Sequence, residues 1–141
     1  MRYYLNIGTN LGNRRKNLKR AIDALRANST HCQVSQVVES DPWGFESQNR
    51  FLNVGIAIDS DMAPHDMLDK LHHIERSLGS ASHRDARGGY VDRLVDIDIM
   101  AIDDEHGNPI TINTPTLQVP HPHLYDRSFF LTPYRPLRHT T

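Results

Sequence analysis

The run Arg93-Leu94-Val95-Asp96-Ile97-Asp98-Ile99-Met100 decides how this chain is read. Val95, Ile97 and Ile99 are β-branched and apolar and alternate with Asp96 and Asp98, the period-two pattern of a strand with one face in a core. Residues i and i+2 of a strand share a face, so the two carboxylates point the same way. Like charges at that spacing repel, so they raise one another's pKa or require a cation. Paired hard oxygens with few other protein contacts suit Mg²⁺ that arrives with a phosphate substrate. The plainer alternative is an edge strand whose two acids are simply solvated.

The elements around this strand follow from periodicity. Before it, Pro64 fits the first turn of a helix whose apolar stripe is Met67, Leu68, Leu71, Ile74 and Leu78, with Glu75 beside the stripe and Gly79 as its stop. Residues 80–92 follow with no apolar periodicity, small residues, and Arg84 and Arg87, the pattern of a mobile loop. Upstream, residues 51–60 alternate cleanly, with Leu52, Val54, Ile56 and Ile58 on one face and Phe51, Asn53, Gly55 and Ala57 on the other. A strand is expected over 33–40, joined to this one by a loop containing Pro42, Trp43 and Gly44. Tyr3, Leu5 and Ile7 mark a first strand, the turn-rich Gly8-Thr9-Asn10-Leu11-Gly12-Asn13 ends it, and Leu18, Ala21, Ile22 and Leu25 carry a helix to about residue 28. After the acid-bearing strand come a short hairpin through 103–113, a segment over 117–123, and a short last helix that starts at Arg127 and is expected to end at Pro133 and Pro136.

The order β-α-β-β-α-β predicts an α+β, ferredoxin-like split-βαβ fold, an antiparallel sheet with both helices on one face and an open substrate cleft on the other. Alternation assigns Phe51, Asn53, Asp96 and Asp98 to the open side. At 141 residues and 38% hydrophobic the chain, 1–141, reads as one domain with a core of ordinary size. Sixteen basic and seventeen acidic residues give a net charge of −1, which calls for neither nucleic acid nor an anionic membrane. Cys32 is the single cysteine, and neither a signal-peptide h-region nor a transmembrane run is present, so a reducing cytoplasm is expected. A monomer is expected as well.

Five motifs occur together in one order: Gly8-Thr9-Asn10-Leu11-Gly12-Asn13, Pro42-Trp43-Gly44, Phe51-Leu52-Asn53, the Arg93 to Ile99 run, and Val119-Pro120-His121-Pro122-His123-Leu124-Tyr125-Asp126-Arg127-Ser128-Phe129. In these the chain resembles the 6-hydroxymethyl-7,8-dihydropterin pyrophosphokinases of folate biosynthesis, over nearly its whole length. The resemblance implies transfer of pyrophosphate from ATP to the pterin hydroxymethyl group, with release of AMP. It implies that Asp96 and Asp98 hold Mg²⁺, two ions with ATP. It places Phe51 and Phe129 on either side of the pterin ring and Asn53 at its polar edge, with Ser40, Pro42 and Trp43 beside it. His72, Glu75, Arg93, Ile99, His121 and Arg127 then fall at positions that contact ATP or its phosphates. In place of the family's closely spaced arginines and Arg-Trp-Gly-Pro-Arg run, this chain has Gly79-Ser80-Ala81-Ser82 and Gly89-Tyr90-Val91-Asp92-Arg93, which makes Arg84 and Arg87 displaced candidates for charge stabilisation.

Taken alone, Phe51 and Phe129 also fit ordinary core aromatics, and His121 between two prolines also fits a surface histidine. His72 and His73 are adjacent on a helix and so do not face one site. Two other functions compete with catalysis: a diverged relative that binds nucleotide or pterin with little turnover, and a ferredoxin-like nucleic-acid module. Acids where a basic, aromatic face would be needed stand against the second.

Overall fold

Strands form where alternation predicts them, and helices where the apolar stripes do. The computed structural model describes residues 1–27, 29–40, 50–79 and 94–139. Along the chain these form β1 (Arg2–Thr9), α1 (Arg14–Arg26), β2 (Cys32–Val34), β3 (Val38–Ser40), β4 (Phe51–Asp59), α2 (Pro64–Ser77), β5 (Asp96–Asp103), β6 (Ile112–Asn113), β7 (Gln118–Val119) and α3 (Ser128–His139). The main sheet is antiparallel in the order β2-β4-β1-β5, with β3 also paired to β4. This is the expected α+β, split-βαβ topology.

Two irregularities shape the sheet. The strand expected over 33–40 is split, because Val34 pairs with Ile56 and Val38 with Asn53, so one extra residue must be absorbed between them. Ser35 bridges the gap: its N–H donates to the Gly55 carbonyl at 2.9 Å, and its hydroxyl oxygen accepts from Gly55 N–H at 2.8 Å. On the opposite edge, the β1–β5 register shifts between Tyr4 and Leu5, opposite Ala101 and Ile99, which leaves Met100 as the extra residue. Ile99 and Ile102 can then both face the core under α1 and α2, which they join with Tyr3, Leu5, Ile7, Val54, Ile56, Leu71 and Ile74.

The last helix does not stop at its prolines. Both Pro133 and Pro136 lie inside α3, which packs on the sheet face opposite α1 and α2 through Phe130, Tyr134 and Leu137 against Tyr4, Ala57, Met100 and Ala101. A proline's φ is already helical, and its cost is the N–H it lacks together with the crowding of its ring against the carbonyl four residues back. Here the carbonyl four residues before Pro133, that of Phe129, accepts instead from Asn6 Nδ2 at 3.3 Å. The approach is close: a Cβ on Gly55 would lie 2.8 Å from the Pro133 carbonyl oxygen, so only glycine admits the helix there. The far end is tied down by an ion pair between Arg138 and Asp103, with the guanidinium 4.7 Å from the Tyr4 ring centroid. The face predicted to be open is thus open at one end only. Among the described residues no helix is long and apolar enough to cross a membrane.

Candidate active site

Register places the acids. β5 is the edge of the main sheet, and Asp96 and Asp98 lie opposite Gly8 and Asn6 of β1, while on the other side of β1 the same two residues face Asn53 and Gly55 of β4. Asp96, Gly8 and Asn53 therefore form one row across the uncovered end of the face, about 10 Å from acid to amide at the usual strand spacing. Gly8 contributes no side chain to this row. A Cβ there would lie 3.2 Å from Asn53 Oδ1 and 3.6 Å from Phe51 Cδ1, so the floor is shaped by an absence. Asn53 is 3% exposed and is oriented by Ser40, whose hydroxyl accepts from its Nδ2 at 2.8 Å. The start of β4 is anchored nearby: Arg14 donates to the Arg50 carbonyl at 2.8 Å, and Arg50 pairs with Glu39 at 3.0 Å.

Beyond the acids, a cleft of about 530 Å³ opens between β5, α2 and the segment around β7. It brings together six of the residues expected at a nucleotide site: His72, Glu75, Asp96, Asp98, Ile99 and His121. The acids are only partly exposed and line this cleft, which distinguishes them from solvated edge residues. His72 lines it while its neighbour His73 is exposed on the other side of α2, as helical geometry requires. Glu75, 2% exposed, also braces the strand: its Oε2 accepts from the N–H of Ile97 at 2.7 Å, pinning the backbone between the two acids on the outer edge of β5.

His121 is held from several sides. Its N–H donates to the Met100 carbonyl at 2.9 Å, and its ring packs edge-on against Phe130 at 4.9 Å. Burial pushes its pKa down to about 4, and the positive charge of Arg127 and then His123 push the same way, against a smaller opposing pull from Asp96 and Asp126. Its Nδ1 accepts from His123 N–H at 3.0 Å, so the neutral ring carries its proton on Nε2 and offers a donor without a charge. Arg127 is half-buried beside it, 5.5 Å from the Phe130 centroid. Phe129 packs on Phe130 at 4.7 Å in the first turn of α3, outside the large cleft and on the Asn6 side of the sheet.

Of the other expected site residues, Pro42, Trp43, Arg84, Arg87 and Arg93 lie outside the described residues, as does the loop expected over 80–92. The sequence pattern did not mark Asn6, Gly8 as a floor, or the cleft wall formed by Leu68, Pro115, Leu117 and Gln118. Only Leu68 carried a periodic signal, and it was absorbed into the core stripe. Among the described residues no three or more His, Cys, Asp and Glu are close enough to hold one metal ion, so the two acids stand as a pair. A pair of partly exposed carboxylates fits a hard cation that keeps water and takes its remaining ligands from phosphate.

Sheet and acid-lined cleft together define a small α+β protein of the split-βαβ type with a candidate phosphate and cation site at the sheet edge. The family model for 7,8-dihydro-6-hydroxymethylpterin-pyrophosphokinase matches residues 4–139, and the chain belongs to that family. It is similar to the protein named 2-amino-4-hydroxy-6-hydroxymethyldihydropteridine pyrophosphokinase from Porphyromonas gingivalis, at 37% identity over 131 residues, covering 92% of this chain and 86% of the relative. Proteins of the same name from Bacillus subtilis and Aquifex aeolicus are each 36% identical over 92% of the chain, covering 74% and 76% of their own lengths.

Proposed function

We propose that the chain transfers pyrophosphate from ATP to the hydroxymethyl group of 6-hydroxymethyl-7,8-dihydropterin, releasing AMP, as a step of folate biosynthesis. One observation carries this reading beyond family membership. The acid pair stands on the border between two compartments, the 530 Å³ cleft on one side and the Gly8 floor with Asn53 and Phe51 on the other. Phosphates in the first and a flat heterocycle in the second would meet at Asp96 and Asp98.

In this reading the pterin hydroxyl oxygen attacks the β-phosphorus, the bond from that phosphorus to the oxygen bridging α and β breaks, and AMP leaves with the electron pair. The hydroxyl proton is lost to water. Catalysis rests on alignment and charge neutralisation more than on acid–base help. Asp96 and Asp98 would hold Mg²⁺, two ions with ATP, which supplies Lewis-acid polarisation of the phosphates. Asn53 accepts from and donates to the pterin edge, Ser40 keeps its amide oriented, and Phe51 and Phe129 stack on the ring. Pro42 and Trp43 border that ring. His121 gives the nucleotide a neutral donor, and His72, Glu75 and Ile99 line its cleft. Arg127, Arg93, and the displaced Arg84 and Arg87 supply positive charge to the triphosphate.

Incubation with MgATP and 6-hydroxymethyl-7,8-dihydropterin tests this directly. One AMP should appear per pterin pyrophosphorylated. Saturable binding of both ligands without AMP would instead identify a binding-only relative.

A further inference from the structure

We propose that Asn6 is a positioning residue of the pterin subsite, holding the first turn of α3, and with it Phe129, against the strand that faces the acids. The inference rests on the reading of Phe129 as a pterin-stacking ring. Asn6 is 2% exposed, a polar side chain on β1 between the buried Tyr4 ring and the Gly8 floor. A buried amide at such a place costs stability unless it is hydrogen-bonded. Its Nδ2 donates to the carbonyl of Phe129 at 3.3 Å. That carbonyl lies four residues before Pro133, inside α3, where a proline has no N–H to give it. Asn6 thus replaces, from the sheet, the bond that the helix cannot make for itself.

The location gives this bond a functional consequence. Asn6 is the direct cross-strand partner of Asp98 on one side and Gly55 on the other, and shares its face with Gly8 two residues on. The other anchors of α3 act further along: Gly55 receives the helix at Pro133, and Asp103 holds Arg138 at the far end. Among these contacts the one made by Asn6 falls at Phe129 itself. Loosening it would let the first turn of α3 lift and move the ring relative to the Gly8 floor, while His121 in the nucleotide cleft keeps a separate anchor through its N–H on the Met100 carbonyl.

The test is a double-mutant cycle on Asn6→Ala and Phe129→Ala, with pterin affinity measured by titration calorimetry beside a non-hydrolysable ATP analogue, and ATP-analogue affinity measured alone. Asn6→Ala should weaken pterin roughly three- to tenfold, the scale of one net hydrogen bond, and leave the nucleotide within twofold. In the Phe129→Ala background the same substitution should add less than twofold, because its effect passes through that ring. Rescue is expected from Pro133→Ala, which returns an N–H to the Phe129 carbonyl: the Asn6→Ala, Pro133→Ala pair should bind pterin within about twofold of wild type, and it serves as the test if Asn6→Ala alone does not fold. Unchanged pterin affinity in Asn6→Ala, equal weakening of both ligands, full additivity with Phe129→Ala, or no rescue would each overturn the proposal. Wild-type pterin affinity in Phe129→Ala would remove the stacking role of Phe129 and the inference with it.

Discussion

Gly8→Ala tests the proposed pterin compartment apart from the rest of the molecule with one methyl group. Among the described residues the glycines with positive φ are Gly12, Gly79 and Gly107, so Gly8 keeps an ordinary strand backbone that alanine can adopt. Removing glycine there stabilises by about 0.4–1 kcal/mol through the unfolded chain. Against this stands the tight approach of the new Cβ, 3.2 Å from Asn53 Oδ1 and 3.6 Å from Phe51 Cδ1, which a small shift of the amide relieves. Folding stability should move by less than about 1 kcal/mol. A ring lying on that floor would have no such freedom, since Asn53 and Phe51 are the groups proposed to read it. Overpacking of a fitted contact costs about 1–3 kcal/mol, which corresponds to roughly 5- to 150-fold in Kd. Calorimetric titration of the pterin beside an ATP analogue measures the loss, and titration of the analogue alone should match wild type. Wild-type pterin affinity in Gly8→Ala, or an equal loss for both ligands, would refute the assignment of the floor to the pterin.

Replacing either acid, Asp96→Asn or Asp98→Asn, should lower AMP formation at least about a hundredfold with the circular dichroism of the fold retained, and near-normal turnover in either would remove the metal role. Arg84→Ala and Arg87→Ala should reduce the single-turnover rate with little change in ATP affinity, since contacts made mainly in the transition state act on kcat; a fully active double mutant would show that these cations do not act. His121 has a folded-state pKa near 4 against an ordinary 6.5, so the unfolded chain takes up its proton first and stability falls as the pH drops from 6.5 toward 4; denaturant titrations across that range should show a slope that His121→Gln flattens. Arg138→Met should cost about 1–3 kcal/mol, because it leaves Asp103, 7% exposed, without its cation, and a change in denaturation midpoint below the equivalent of about 0.5 kcal/mol would show the pair to be worth little.

What could be read from the residues was whatever a period carries. β-branched alternation marks β4 and the start of β5 and assigns Asp96, Asp98, Asn53 and Phe51 to one face, whereas helical spacing says only that His72 and His73 do not share a site, and the resemblance is what points to His72 at the cleft. Register is different, because it is a property of two strands. The extra residues at Met100 and between Val34 and Val38 are invisible in either strand alone, and the two-residue strands β6 and β7 are too short to show alternation. The expected end of α3 at its prolines failed for a related reason. Part of a proline's cost in a helix is the carbonyl it leaves without a donor, and at Pro133 the replacement donor, Asn6, lies 123 residues from Phe129 in sequence.

Gly8 and Gly55 show how one sheet face comes to hold both a helix and a cleft. They lie on neighbouring strands, Gly8 opposite Asn53 and Gly55 opposite Asn6. At Gly55 the missing side chain is filled by the Pro133 carbonyl and Leu137, so α3 closes that part of the face. At Gly8 the nearest atoms are the two groups of β4 that would read a flat ligand, and α3 supplies only its first turn from the Asn6 side. The same substitution should therefore fail in different ways. Gly55→Ala places a Cβ 2.8 Å from a backbone oxygen that cannot rotate away, so it acts on folding and displaces α3, whereas Gly8→Ala meets a side-chain amide at 3.2 Å that a small shift relieves, and acts on binding. The division of the face is set at these two positions, and the acid pair stands at the edge of the part that the helix leaves uncovered.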